Sequence, residues 1–189
     1  MLALRGNPDN MDATNRLLGL GDELVDDGAV AGKARPYTKP MATPIIKTAA
    51  GLADHIKLYG GRKSSYGIKG AHNKVEWDNA AAYYHVQSTT PHPTFPGITH
   101  VEYSLMELDF AQKPTGKIST RSDFFKKTIY DPAIYSDAEI YQWGLEAAVD
   151  AYSRNAFDYT WIGTASNGMV FMGYRDSNNV ITSFFPFVK

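Results

Sequence analysis

Histidine is the residue of this chain best suited to proton transfer near neutral pH, because its ordinary pKa is about 6.5. The chain has five of them: His55, His72, His85, His92 and His100. His55 and His72 lie 17 residues apart in a stretch rich in glycine and cations. We expect no chemical role for His85, which follows an alanine- and tyrosine-rich segment, or for His92, which lies between two prolines. His100 lies on a predicted strand, where it can face either the core or solvent.

The net charge of −1 hides a strong separation of charges along the chain. Residues 7–27 contain six carboxylates and one cation, whereas residues 33–74 contain nine cations and one carboxylate. A second basic cluster comprises Lys113, Lys117, Arg121, Lys126 and Lys127. Basic patches attract polyanions even on a neutral protein. Charge alone, however, is explained equally well by solvated surface lysines.

A pair of histidines beside lysines is what metal-independent RNA cleavage requires. One imidazole takes the proton from a ribose 2′-OH, which attacks the adjacent phosphorus, and the other protonates the departing 5′-oxygen. A lysine stabilises the negative charge that grows on the phosphoryl oxygens. The positions of His55 and His72 in the basic stretch are therefore compatible with a ribonuclease, although short motifs of this kind also match by chance.

Composition excludes several classes of protein. Hydrophobic residues make up 43% of the chain and aromatic residues 13%, which is ample for a folded core. The chain has no cysteine, so it can hold neither a disulfide nor a thiolate nucleophile or ligand. No run of about 18 apolar residues predicts a transmembrane helix, and the N-terminus lacks the pattern of a signal peptide. Any export would have to be arranged by something outside this chain.

Hydrophobic periodicity and turn residues predict an α+β fold, with N-terminal helices followed by a mainly antiparallel sheet. Residues 1–42 read as a leader helix and a linker, and residues 43–189 as one folded domain. We expect a helix from Thr43-Pro44 to the Gly60-Gly61 stop, with a raised pKa for His55 in its last turns. We then expect a basic loop at 60–70, a helix capped by Asn73 and a loop at 89–96. Strands are expected at 98–108 and around 118–130, followed by a helix after a Ser136–Glu139 capping box. The chain should end with strands at 158–164, 169–174 and 180–187.

Three segments carry a resemblance to a known family. The stretch HIKLYGGRKSSYGIKGAHN, residues 55–73, resembles the two-histidine core of the EndoU endoribonucleases. The stretch KKTIYDPAIYSDAEIYQWGLEAAVDAY, residues 126–152, is similar to the bacterial branch of that family, in which a lysine-threonine pair precedes a proline turn and an amphipathic helix. GYRDSNNVITSFFPF, residues 173–187, resembles the last strands. The resemblance runs from about residue 45 to the end of the chain, and it implies an EndoU-like fold related to the barnase, colicin and RelE group.

The resemblance implies roles for individual residues. His72 becomes the general base, His55 the general acid and Lys127 the phosphate-stabilising lysine, with Lys117 and Lys126 as close competitors. Ser183 falls where the family has a base-contacting threonine or serine, and Phe185 falls where many members have tyrosine. Either ring can stack on a base, but phenylalanine lacks the hydroxyl. Lys63 and Lys69 of the basic stretch are further expected RNA contacts, and no metal or other cofactor is expected.

The bacterial members most similar to this chain are C-terminal toxin domains of contact-dependent growth inhibition systems. The resemblance therefore implies part of a larger secreted or cell-surface protein that acts in the cytoplasm of a target bacterium. It implies RNA, commonly tRNA, as substrate and a cognate immunity protein as partner. Residues 1–42 would be the remnant of the segment that brings the toxin into the cell, or else a packing helix of the nuclease itself.

Two other functions are open at this point. A non-catalytic RNA-binding module would use the same basic residues and bind without turnover. A metal-dependent nuclease would gather His55, His72 and His100 with a carboxylate and would lose activity with a chelator. The sequence gives this last alternative little support, because it has no His-x-x-x-His pair and few carboxylates near the histidines.

Overall fold

The computed structural model of the protein describes residues 45–120 and 124–188. Over these residues the chain forms ten strands, three α-helices and one 3-10 helix. In chain order they are β1 (Lys47–Thr48), α1 (Leu52–Lys57), β2 (Tyr59–Lys63), β3 (Gly67–Gly70), α2 (Lys74–Asn79), the 3-10 helix (Ala81–Tyr83), β4 (Tyr84–Pro91), β5 (Ile98–Leu108), β6 (Pro114–Ile118), β7 (Phe125–Tyr130), α3 (Asp137–Ser153), β8 (Thr160–Thr164), β9 (Val170–Arg175) and β10 (Val180–Pro186).

The last three strands form an antiparallel sheet against α3. Its strand order is β1-β10-β9-β8, and only the pairing of β1 with β10 is parallel. Along β8 and along β9 as far as Tyr174, every second residue is buried, which is the pattern of a sheet with one covered face. Trp161, Phe171 and Phe184 fill the layer between this sheet and α3, with Ile140 on the helix side. This layer is the larger of two hydrophobic cores.

A second sheet is built around the long strand β5. One edge of β5 pairs with β4, and the other edge pairs first with β7 and then with β6. The smaller core lies on one face of this sheet. Trp77 of α2 stacks on Tyr84 with ring centroids 3.9 Å apart and meets the edge of Tyr103 at 5.0 Å. α2 therefore holds the β4 and β5 strands from one side.

A hairpin of β2 and β3 joins these parts. The hydroxyl of Tyr103 on β5 accepts a hydrogen bond of 2.8 Å from the backbone N–H of Ile68 on β3. After β3 the chain passes between α1 and β7. The N–H of His72 donates to the carbonyl of Ile56 at 2.9 Å, and the His72 carbonyl accepts from the N–H of Tyr130 at 2.8 Å. Residues 71–73, which follow the hairpin, therefore lie between α1 and β7.

The predicted α+β class with mainly antiparallel sheets is confirmed, but the predicted order of helices before strands is wrong. The helices lie among the strands, and the longest, α3, follows the first seven strands. The predicted helix from Thr43-Pro44 is also wrong over its first half, since Lys47–Thr48 is a strand and only Leu52–Lys57 is helical. The reason is tertiary: β1 pairs with Val180 and Ile181 of β10, and this pairing overrides local helix preference.

The other predicted elements are confirmed where short sequence signals mark them and are wrong elsewhere. The strand at 98–108, the Asn73 cap, the Ser136–Glu139 capping box and the last three strands are confirmed. The predicted loop at 60–70 is wrong, because it is the β2–β3 hairpin, and the predicted loop at 89–96 begins only after β4 ends at Pro91. The leader helix and linker predicted for residues 1–42 lie outside the described residues. None of the helices described here is long and apolar enough to cross a membrane.

Candidate active site

Three elements bring His55, His72 and Lys127 together. His55 lies on α1, His72 follows β3, and Lys127 lies on β7. Gly70 links the three: its carbonyl accepts a 2.6 Å hydrogen bond from Lys127 Nζ. A side chain on Gly70 would overlap the backbone carbonyls of His55 and Leu58. The charge of Lys127 lowers the pKa of both His55 and His72, and the charge of His55 lowers that of His72, so the three side chains lie near one another.

His72 is the most deeply placed of the candidate residues. Its side chain is 6% exposed, and Nδ1 lies 2.6 Å from the Thr128 carbonyl oxygen. Only a protonated Nδ1 can donate to that oxygen, so the neutral ring carries its lone pair on Nε2. Burial sets the pKa of His72 well below its usual value, and the charges of Lys127 and His55 lower it further. His72 is therefore a neutral imidazole at pH 7, with Nε2 available as an acceptor.

His55 is more accessible than His72. Its predicted rise in pKa is wrong, because the pKa of His55 is lowered by partial burial and then by the charges of Lys69 and Lys127. α1 has only six residues, so the negative end of its dipole does not outweigh burial and two nearby cations. Both histidines therefore lose their protons more readily than a free imidazole does.

Lys127 and Lys126 face opposite sides of β7. Lys127 is 7% exposed, and burial lowers its pKa to about 7. Lys126 forms an exposed 3.3 Å ion pair with Glu102 on the neighbouring strand. Because consecutive strand residues point to opposite faces, only one lysine of this pair can meet the histidines, and it is Lys127.

Lys117, the third candidate, lies on β6 among exposed residues. β6 pairs with β5 at Met106, whereas Lys127 pairs with Val101. Five residues of strand correspond to roughly 17 Å. The structure therefore does not bring Lys117 to the histidines.

Phe185 and Ser183 lie on the same face of β10. The Phe185 ring stacks on His72, with centroids 5.2 Å apart and planes 7° from parallel. Ser183 lies two residues earlier and is paired with Tyr174 of β9. Both side chains are half-buried, whereas Phe184 between them is buried in the core. The structure thus places Phe185 against His72, and Ser183 next to Phe185 on the same face of β10.

The two lysines of the hairpin differ in their distance from the site. Lys69 on β3 lies close enough to His55 for its charge to lower that pKa, and its side chain lies alongside Gly60. Lys63 is exposed and pairs with Gly67, at the end of the hairpin away from Gly70. The structure therefore brings Lys69 to the histidines and leaves Lys63 at the periphery.

The other three histidines lie apart from this group. His85 is exposed on β4, and Nδ1 of His92 accepts backbone N–H bonds from Thr94 and Phe95 within its loop. His100 lies on the face of β5 that carries Glu102 and is influenced by Lys126, which is the face opposite Lys127. Across residues 45–120 and 124–188 there is no group of three or more histidine, cysteine, aspartate or glutamate side chains arranged to hold a metal ion.

Two curated proteins resemble this chain. The chain is 33% identical over 167 residues to a protein named tRNA nuclease CdiA from Escherichia coli, a match that covers 84% of this chain and 5% of that protein. It is 31% identical over 120 residues to a protein of the same name from Yersinia mollaretii, covering 60% of this chain and 4% of that protein. The chain thus spans about one-twentieth of the length of the curated relatives it matches. No protein-family profile matches the chain.

A carboxylate behind the site was missed by sequence reasoning. Asp137, the first residue of α3, accepts hydrogen bonds from Tyr130 Oη at 2.6 Å and Asn73 Nδ2 at 2.7 Å, and its other oxygen pairs with Lys57 Nζ at 2.7 Å. Partial burial alone would raise the pKa of Asp137, but these contacts outweigh it and hold the pKa below the usual value. Asp137 therefore ties α1, α2, β7 and α3 together around His72. Its position after a capping serine gave only a helix signal.

Proposed function

We propose that this chain contains the nuclease domain of a tRNA-cleaving bacterial toxin of the EndoU type. The named function of the similar proteins, tRNA nuclease, supports an RNA substrate. The observation that carries the proposal is that a buried, neutral His72 lies close to an equally buried Lys127. Lys127 is hydrogen-bonded to Gly70 at the end of the basic β2–β3 hairpin. Such a pair offers a base and a cation at one point, which is what RNA cleavage at phosphorus requires.

His72 acts as the general base in this proposal. The Thr128 carbonyl holds the proton on Nδ1, so Nε2 accepts the proton of the ribose 2′-OH. The 2′-oxygen then forms a bond to phosphorus as the bond to the 5′-oxygen breaks. His55, in its protonated form, donates a proton to that oxygen. The products are a 2′,3′-cyclic phosphate and a free 5′-OH, and no metal takes part.

Lys127 supplies positive charge when substrate is bound. In the free protein its pKa of about 7 leaves it only partly charged. A phosphodiester next to Nζ favours the charged form and raises that pKa. The full charge then meets the negative charge that develops on the phosphoryl oxygens in the transition state. Lys127→Ala is therefore expected to lower turnover more than RNA affinity.

The histidine pair is tested by single substitutions. His55→Ala and His72→Ala should each reduce cleavage of tRNA by on the order of 100-fold or more, since each removes a positioned acid or base. The assay is single-turnover cleavage of total tRNA in EDTA. The matched controls, His85→Ala and His92→Ala, should cleave at close to the wild-type rate. Equal damage from His100→Ala would show that the catalytic pair has been chosen wrongly.

The biological setting is part of the same proposal. We infer that the chain is a piece of a much longer cell-surface or secreted protein that works by contact-dependent growth inhibition, because the similar proteins are about twenty times as long as their matched segments. The nuclease then acts in the cytoplasm of the target bacterium. A cognate immunity protein, made by the producing cell, covers this active site.

A further inference from the structure

The sheet of β8, β9 and β10 has one face packed on α3 and a second face that is only partly covered. The second face presents every other residue of each strand. Ile162 and Thr160 of β8 are exposed, and Met172 and Tyr174 of β9, with Phe185 of β10, are half-buried. A half-open face with aromatic and aliphatic side chains is typical of an interaction surface.

Aromatic rings cross this face in a row that begins at His72. The Phe185 ring centroid lies 5.2 Å from that of His72 with the planes nearly parallel. The Tyr174 centroid lies 6.3 Å from Phe185 and the Tyr159 centroid 6.5 Å from Tyr174, with planes 50° and 55° apart, so each tyrosine presents a ring face of its own. Phe185 belongs to β10, Tyr174 to β9, and Tyr159 directly precedes β8. The row therefore runs across β10 and β9 to the residue that precedes β8.

The spacing of the rings is fixed by the sheet. Phe185 pairs with Met172, two residues before Tyr174 on β9, and Tyr159 directly precedes Thr160, which pairs with Tyr174. Neighbouring strands are about 4.8 Å apart. The carbonyl of Tyr159 accepts a 3.0 Å hydrogen bond from the N–H of Arg175, which fastens this residue to β9. The ring of Tyr159 is nevertheless 69% exposed. A rigid backbone thus presents an accessible ring at the outer end of the row.

Given the proposed nuclease function, on which this inference rests, we propose that Tyr174 and Tyr159 form a stacking platform for unpaired RNA bases next to the cleaved phosphodiester. The row starts at the residue proposed as general base, so a strand whose 2′-OH meets His72 can lay its following or preceding bases along these rings. Stacking on aromatic side chains is sequence-tolerant, because every base has a π face.

This platform defines the class of RNA that the site accepts. Bases inside a duplex are stacked on each other and cannot lie on protein rings, whereas bases of loops and single strands can be splayed out. The site therefore takes an unpaired segment, such as a loop of a tRNA, rather than a stem.

A binding experiment that does not depend on cleavage tests the platform. The probe is a short single-stranded RNA with 2′-O-methyl groups throughout and one 2-aminopurine, whose fluorescence is quenched by stacking. Binding and quenching are measured for the wild type and for Tyr174→Ala, Tyr159→Ala and the conservative Tyr174→Phe and Tyr159→Phe variants. The control is Phe110→Ala, a change at a fully exposed ring in the β5–β6 turn. A duplex of the same sequence is measured in parallel.

We expect each alanine variant to weaken binding of the single strand by on the order of tenfold and to reduce quenching. Each phenylalanine variant and Phe110→Ala should resemble the wild type, and the duplex should bind more weakly than the single strand. Wild-type binding that both tyrosine-to-alanine changes leave within twofold would overturn the platform while leaving the nuclease proposal standing. Failure of the wild type to bind any RNA would instead contradict the proposed function itself.

Discussion

The amino group of Lys127 is buried, and burial disfavours its charged form. Its side chain is 7% exposed, and its pKa is lowered from 10.5 to about 7 by burial. Between pH 7 and pH 10.5 the unfolded chain therefore binds a proton that the folded protein does not. The stability of the protein rises with pH over this range, and the full cost of burying the amino group is present below pH 7.

Replacing Lys127 by methionine should stabilise the fold and abolish most activity. Lys127→Met removes the burial cost, so at pH 6 the free energy of unfolding should increase by about 1–3 kcal/mol, after allowance for the lost hydrogen bond to Gly70. The gain should shrink as the pH approaches 10. Urea unfolding at pH 6 and pH 9.5 gives both values. Lys126→Met, at the exposed neighbour, should change stability by less than about 0.5 kcal/mol, and equal losses from both changes would contradict the assignment of the buried lysine.

The pH dependence of kcat/KM should reflect the lowered pKa values of the free enzyme. In the proposed mechanism His72 is neutral, which requires a pH above its strongly lowered pKa, and His55 is protonated, which requires a pH below its own lowered pKa. Lys127 also loses its charge near pH 7. The ratio kcat/KM should therefore be highest below pH 6.5 and fall through neutrality with loss of more than one proton. Initial rates at subsaturating RNA from pH 5 to 9 test this expectation, which an optimum above pH 7.5 would refute.

At the scale of elements, Gly70 is the residue that allows β3, α1 and β7 to pack closely together. Its φ of 64° is in the left-handed region, and a Cβ there would overlap two backbone carbonyls of α1 and the residue after it. Gly70→Ala should cost more than about 3 kcal/mol of stability, since it combines strain with an overlap that only backbone movement relieves. Gly116→Ala is the matched control, with φ of 81° but nothing within 4 Å, and should cost about 1 kcal/mol. Chemical denaturation of both variants measures the difference in the free energy of unfolding. Similar small decreases for both variants would show that the backbone around Gly70 can move to accept a side chain, and would contradict the prediction.

Local signals account for the elements that the sequence could predict. β8 and β9 alternate between buried and more exposed residues, β5 is rich in β-branched and aromatic residues, and α3 begins at a complete capping box. The β2–β3 hairpin could not be predicted, because its glycines and serines carry no alternation. Long-range contacts stabilise it instead, among them the bond from Ile68 to Tyr103 and the Arg62 guanidinium bond to the Met106 carbonyl.

At the scale of the whole molecule, residue types indicated the chemistry while pairing between distant strands determined the geometry. The concentration of cations around His55 and His72 pointed to the region of the candidate site. The choice between Lys126 and Lys127 needed the register of β7 against β5, which no local pattern contains. The same holds for the ring row, since Tyr174 meets Phe185 on one side and Tyr159 on the other only through the order of β8, β9 and β10.

In the proposed mechanism the ribose 2′-OH is the nucleophile and no metal is needed. The direct measurement is cleavage, in EDTA, of a tRNA and of the same tRNA carrying a single 2′-O-methyl group at the mapped cut, with the new ends identified chemically. We predict a 2′,3′-cyclic phosphate and a 5′-OH on the unmodified tRNA and no cut at the methylated position. Cleavage of the methylated tRNA at that position, or loss of all cleavage in EDTA, would contradict the account.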